Sequence, residues 1–395
     1  GNGLRRPQAG EPGTVMVMHE LENPRDTYLL NRGQYDAPDK SNKLSPGVPA
    51  AIDFSTDSPR NRLELAQWLV DSRNPLTARV AVNRIWQQFF GRGLVESSDN
   101  LGSQGSVPTH PQLLDWLASE LIESGWDIQH IQRLIAGSAT FAQSSSPKKF
   151  TGPDESEPDE SGPDKSGPEK AKQTTAEILD PQNVWFSRGP RVRFSAPIVR
   201  DAALVSSGLL VERFGGPSVK PYMPPKVWSS MSNNKYVQDS GGALFRRSLY
   251  TYWRRTIPPP TMVAFNAAGR EVCSVKTEVT NTPLQALTLL NNKLFVEAAR
   301  NMAQRSMRTH KQTESRLVFA FRQILSRDPK QAELKLLKSS LAIARQHFEG
   351  DSDATHQLLS VGESEVDAGL PKTEIAAMTV VANLLYNLDE AIYRD

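Results

Sequence analysis

Asn74 and Pro75 open a segment in which Leu76, Val80, Trp86, Phe89 and Phe90 recur at helical spacing until Gly91 stops it. An Asn side chain accepts the orphan N–H groups of a first turn, Pro is preset for the first helical position, and Gly leaves a helix through the left-handed region. A helix so marked carries one apolar stripe, and only other packed elements can cover it. The same grammar returns along the chain. From about Pro59, Leu63, Ala66, Leu69 and Val70 share a face; Thr109 with Gln112 reads as a capping box before Leu113, Leu114, Leu117, Leu121 and Ile122, with Gly125 as terminator. Asp127 caps a helix with Ile128, Ile131, Leu134 and Ile135 inward, and a further helix carries Val199, Ala203, Leu204 and Leu209.

Thr282 and Pro283 start what reads as one long amphipathic helix, with Leu284, Leu287, Leu290, Leu294, Phe295 and Ala298 on its inner face. Three more follow, around Leu317–Leu325, Leu334–Phe348 and Ile375–Leu388. Residues 1–57 are instead Pro- and Gly-rich, with extended pieces at Thr14–Met18 and Thr27–Leu30 able to pair with each other. Residues 146–177 repeat Ser, Gly, Pro, Asp and Lys with too few apolar groups to offset ordering entropy, and read as a disordered acidic insert. The expectation is a mainly α, multi-helix single domain with long Pro/Gly-rich loops and a few short strands. Its body is 58–395, with 1–57 packed along it and a loop from Pro217 to Asn281 draped over it.

Composition excludes several classes. Lys and Arg total 46 against 44 Asp and Glu, a net charge of +2, so no global field draws the protein to nucleic acid. One cysteine, Cys273, leaves no internal disulfide framework, iron–sulfur cluster or Cys-x-x-Cys-His haem attachment. No apolar run is long enough for a transmembrane segment, and the start lacks both a signal-peptide profile and an initiator Met, as in a piece of something longer. His19, His110, His130, His310, His347 and His356 show no ligand spacing, so no metal is expected.

Several blocks together resemble a known family. Tyr28–Tyr35, Asn74–Trp86, Phe89–Val95, His110–Ala118, Arg200–Leu204, Arg246–Tyr250, Asn281–Leu287 and Asn387–Glu390 are similar to those of the planctomycete-specific C-terminal domain of unknown function. That domain is usually found behind a planctomycete-type cytochrome c module and a second uncharacterised domain. The resemblance implies an exported, periplasmic or cell-envelope parent protein, with haem in a separate module and none in this chain. It supplies no established catalytic residues. The sequence departs from the usual pattern at Asn100-Leu101, Ser195-Ala196-Pro197 and Asn266, where an acidic-aromatic pair, a helix-forming Ala-Glu and an Asp are typical.

The motifs leave two functions open. Gly91-Arg92-Gly93 lacks the third glycine of a dinucleotide fingerprint and follows a helix, so it reads as a helix stop. Cys273, though flanked by Arg270 and Lys276, reads as a buried inert thiol. Arg246, Arg247, Arg254, Arg255 and Arg270 are interleaved with Tyr250, Tyr252 and Trp253, a combination suited to carboxylate, sulfate or phosphate groups. The competing account pairs these arginines with acids such as Asp201 or Asp115 and with loop carbonyls. One function is thus an accessory binding module taking an anionic saccharide or a partner domain through Arg246, Arg247, Tyr250, Trp253, Arg254, Arg255 and Arg270. The other is an enzyme on an anionic polysaccharide, with acid–base groups at His110 and Asp115.

Overall fold

A computed structural model describes residues 17–23, 25–52, 54, 58–145, 179–271, 273–275 and 279–394. The acidic stretch 146–177 lies outside the described residues. The fold is mainly α, with twelve α-helices and two small two-stranded sheets among the described residues. The chain divides into two compact units, Gly1–Asn83 with His110–Ile131, and Arg84–Thr109 with Gln132–Asp395.

In the first unit, strand β1 (Thr27–Leu30) pairs antiparallel with β2 (Pro38–Leu44) through a tight turn at Asn31–Gly33. By sequence, Thr14–Met18 and Thr27–Leu30 could pair with each other or lie along the body; residues 14–16 lie outside the described residues, and Thr27–Leu30 pairs with the segment that follows it. Arg32 and Gly33 turn the chain back at φ 51° and 75°, and the Asp39 carboxylate accepts from the Ser41 and Asn42 side chains inside β2. Helix α1 (Arg62–Val70) is capped by Asn61, which accepts from the Glu64 N–H at 2.9 Å. Its expected inner face is corrected: Leu63, Leu69 and Val70 are exposed, and the buried residue is Trp68, stacked on Phe54.

Asn74 does cap α2 (Thr77–Phe90), its Oδ1 accepting from the N–H groups of Leu76 and Thr77 at 3.0 and 3.1 Å. Helix α3 (Pro111–Glu123) starts one residue later than the predicted box: His110 holds the cap position, its side chain not capping the first turn, and Pro111 sets that turn. The Thr109 hydroxyl donates to the Leu94 carbonyl at 3.2 Å instead. Helix α4 (Ile128–Ala136) is capped as predicted by Asp127, which accepts from the His130 N–H at 3.0 Å. Ile131 and Ile135 are buried, whereas Ile128 is exposed.

The second unit holds α5 (Ala196–Ser207), the short α6 (Pro260–Ala264), α7 (Pro283–Asn291), α8 (Lys293–Thr309), α9 (Thr313–Leu325), α10 (Gln331–Gly350), α11 (Ser352–Leu359) and α12 (Lys372–Tyr386). Strands β3 (Val192–Arg193) and β4 (Tyr393–Arg394) pair antiparallel beside them. Most of α8 is buried, and it packs on α5, α9 and α12. Small residues on both sides allow this. Ala298, Ala299 and Ala303 of α8 share clusters with Ala376, Ala377 and Ala382 of α12, and Phe295, Met302, Ile375 and Met378 fill the space between.

The predicted long helix after Thr282 is two. Thr282 is the N-cap as expected, with Gln285 adding a capping box the sequence reading did not include, but at Asn292 ψ turns to 135° and Asn292 recaps the chain, accepting from the Leu294 N–H at 3.0 Å. Asn292 also donates to the Thr261 hydroxyl at 3.1 Å, fixing the break to α6. The rotation leaves Leu284 and Leu287 61% and 54% exposed, against 2% for Leu289.

Glu297 is fully buried in α8 and accepts from the Tyr222 hydroxyl at 2.8 Å and from the N–H groups of Glu363 and Ser364 at 2.7 and 2.6 Å. Arg300, one turn on, donates to the carbonyls of Leu359, Val361 and Ser364. The loop after α11 is therefore held by one acid and one base. Gly362 runs through it at φ 92°, and a Cβ there would sit 2.3 Å from the Glu297 carboxyl carbon. Gly362→Ala is expected to cost about 2 kcal/mol or more in denaturant melts, from left-handed strain plus displacement of a buried carboxylate. Gly33→Ala, with open space around it, is expected to cost less.

The end of α9 is fastened by Arg327, which forks onto Glu333 at 2.7 and 2.9 Å and onto Glu390 at 2.9 and 3.0 Å. The Arg327 hydrogen bonds pull the Glu333 carboxyl down to about 2. A carboxyl lowered in the folded state stabilises above its unfolded value and loses that contribution as pH falls. Stability should therefore decline from about pH 4.5 toward pH 2, and Glu333→Gln should flatten that part of a pH series of melts.

Candidate functional site

The arginine-rich segment after α5 is fastened by buried Arg200 and half-buried Asp201. Arg200 donates to the carbonyls of Leu244 and Arg246 at 2.7 and 2.8 Å, and Asp201 accepts from the Ser248 N–H and hydroxyl at 2.9 and 2.7 Å. Burial pulls the Arg200 guanidinium below its ordinary value. Arg246 is itself buried and donates to the carbonyls of Arg213, Gly215 and Pro217 at 2.9, 2.5 and 2.9 Å. Its guanidinium lies 3.8 Å over the Tyr250 ring, whose hydroxyl accepts from the Gly215 N–H at 2.8 Å. Arg246 and Tyr250 therefore hold a loop in which Gly215 and Gly216 both take positive φ.

The other predicted arginines go separate ways. Arg247 pairs with Glu212 at 3.1 Å and Arg255 with Glu271 at 3.8 Å, both on the surface. Arg254 donates to the Ser232 hydroxyl at 2.6 Å and stacks on Trp228. Of the seven predicted binding residues, Trp253 and Arg270 line one cavity, with the Arg270 guanidinium 4.3 Å over the indole ring.

That cavity has a volume of about 280 Å³ and also takes in Arg193, Phe265, Asn266 and the start of α5 at Ser195. Its far wall hangs on Gln285, the capping-box residue of α7. Gln285 accepts from Arg193 at 2.9 Å and donates to the Ala264 carbonyl at 2.9 Å and to Asn266 at 3.2 Å. Asn266 also accepts from the Thr280 hydroxyl at 2.9 Å. Arg193 donates again to the Thr280 carbonyl and lies over the Phe265 and Tyr393 rings. Asn266 and Arg270 both sit at φ 60°; Asn tolerates that region, while for Arg it costs about 1 kcal/mol. No Asp, Glu, His or Cys lines the cavity among the described residues.

The alternative acid–base pair belongs to the first unit. His110 stands at the start of α3, and Asp115 accepts from Arg79 at 2.7 Å in an exposed ion pair that holds its carboxyl below the usual range. A general acid needs the opposite shift. Cys273, expected to be buried, is exposed. Sequence reasoning did not find Arg193 and Gln285 as cavity residues: one stands in a two-residue strand and the other reads as a helix cap, so neither carries a local signal of a site.

A family model described as PSD1, protein of unknown function (DUF1553), matches residues 61–341. No curated protein and no solved structure matches the chain.

Arg246→Ala is expected to destabilise the protein by roughly 3 kcal/mol in denaturant melts, because three loop carbonyls lose a buried donor together. Arg247→Ala and Arg255→Ala should leave the midpoint unchanged, since both pairs are solvated.

Proposed function

We propose, from the premise that this chain belongs to the PSD1 family of proteins of unknown function (DUF1553), that it is a binding module and not an enzyme. Its cavity between Trp253, Arg270 and Arg193 takes the carboxylate of an acidic saccharide. The observation that carries this reading is the pair of guanidiniums on one cavity, neither with a carboxylate partner among the described residues. A guanidinium fork matches a carboxylate, and aromatic surface suits the apolar face of a sugar ring. About 280 Å³ is close to the space for one monosaccharide unit. Against catalysis stand the lack of an acid–base side chain on the described lining and Asn266 in the place where the resembling family typically carries Asp.

The same reading makes the chain an accessory part of a cytochrome-linked parent in the periplasm or cell envelope, with haem in a separate module, as its resemblance to planctomycete-specific domains suggests. No described helix is long and apolar enough to cross a membrane. A partner domain of the parent protein is the other acidic surface this site suits.

Calorimetric titration with oligosaccharides of glucuronic acid, of a sulfated sugar and of a neutral sugar tests the reading. The uronic-acid chain is expected to bind, weakening as salt rises, and the neutral one not to. Arg270→Ala should reduce affinity about tenfold or more while Arg247→Ala does not. Equal affinity for neutral and acidic chains, or undiminished binding by Arg270→Ala, would overturn it.

A further inference from the structure

The loop from Asp180 to Arg191 is built to hold one shape. Buried Asp180 accepts from the N–H groups of Val184 and Trp185 at 2.7 and 2.9 Å. Asn183 accepts from the Arg188 N–H at 3.2 Å and donates to the Arg188 carbonyl at 2.9 Å. Arg188 returns to the carbonyls of Asp180 and Pro181, both at 2.8 Å. Asn183 and Phe186 take φ of 51° and 53°, a region that costs a bulky side chain about 1 kcal/mol. Gly189 lies so near the Gln143 carbonyl that a Cβ would meet its oxygen at 2.2 Å.

What this shape achieves is placement. Arg188 and Arg191, on either side of Gly189-Pro190, line a cavity of about 460 Å³ together with Arg92, which follows the α2 helix stop at Gly91. Phe90 and Phe186 also line it, with rings 5.2 Å apart. Glu96 takes one amino group of Arg92 at 2.7 Å, and Asp389 pairs with Arg191. The Arg188 guanidinium donates to two carbonyls with the Asp180 carboxylate in electrostatic reach, and the buried Arg92 Nε has no hydrogen-bond partner among the described residues. No carboxylate lines the cavity itself among the described residues.

From this geometry we infer a second binding site, for a tetrahedral oxyanion: a sulfate or phosphate group carried on a larger molecule. Three guanidiniums from two separate segments converge on the cavity, with the Arg92 Nε left as a donor, and cations approaching from several directions suit the oxygens of a tetrahedral group better than the single plane of a carboxylate. The rings of Phe90 and Phe186 give the rest of the ligand an apolar surface, and the volume exceeds what a bare ion fills. The site shares no lining residue with the Trp253 cavity and stands without that reading.

The experiment uses the full chain carrying Arg270→Ala, so that the Trp253 cavity contributes little, titrated at constant ionic strength with inorganic sulfate, inorganic phosphate and acetate. Sulfate and phosphate are expected to bind saturably at one site and acetate not to. Adding Arg92→Gln or Arg191→Gln should weaken the tetrahedral ions about tenfold with an unchanged melting temperature. Glucose 6-sulfate and glucose 6-phosphate then separate the two sources of the group, the tighter of them naming the ester. The inference fails if neither ion binds saturably, if acetate binds as well, or if both glutamine variants fold and bind like their parent.

Discussion

Buried guanidiniums donating to loop carbonyls are what the second unit depends on. Long irregular loops carry backbone carbonyls that lose water as the loops pack, and each must find a donor. Arg200, Arg246 and Arg300 provide them: each is buried, and between them they serve carbonyls in the segments 213–217, 244–246 and 359–364. Their charge is met differently. Arg300 lies 3.8 Å from buried Glu297 and Arg200 lies 3.5 Å from Asp201, whereas Arg246 leans on the face of Tyr250. The planar fork of arginine suits the task, because several parallel N–H bonds come from one side chain whose charge is spread over the plane.

With the loops fixed in this way, the helices can pack closely. Alanines on α8 and α12 let those helices approach, and Phe295, Phe321, Met302 and Met378 fill the layers on either side. The Asn292 break turns α7 away from α8 while its capping-box residue Gln285 reaches Arg193 and Asn266. A helix-start signal thus also builds a cavity wall. The position of the Trp253 cavity follows from the packing of α5, α6 and α7 and not from the arginine-rich stretch alone.

Much of the helical architecture was legible because caps and stops are local. Asn74, Asp127, Thr282, Gly91 and Gly125 act where their spacing placed them. What escaped is what depends on distant partners. Nothing near Leu284 or Leu287 says that Asn292 will turn their face outward, since the turn is secured by Thr261 from another element. The strand partner of Thr27–Leu30 was chosen by a turn that needs Arg32 at positive φ, which composition does not announce. Helix α11 has only 8 residues, too short for a clear stripe. The arginine and aromatic pattern was visible, but a guanidinium facing a carbonyl and one facing a ligand look alike in sequence.

Placement is what separates Arg270 from Arg246. Arg246 is buried, and both of its amino groups donate to loop carbonyls, three in all. Arg270 takes a left-handed backbone conformation that disfavours arginine, stacks on Trp253, and has no carboxylate or carbonyl bond among the described residues. Cation–π attraction alone, about 1 kcal/mol, only balances the backbone strain of that conformation. Arg270 and Arg193 line the same cavity, and no acid stands on its wall among the described residues. An anion bound as proposed would meet an Arg270 fork that no loop carbonyl occupies among the described residues, whereas both amino groups of Arg246 already face carbonyls.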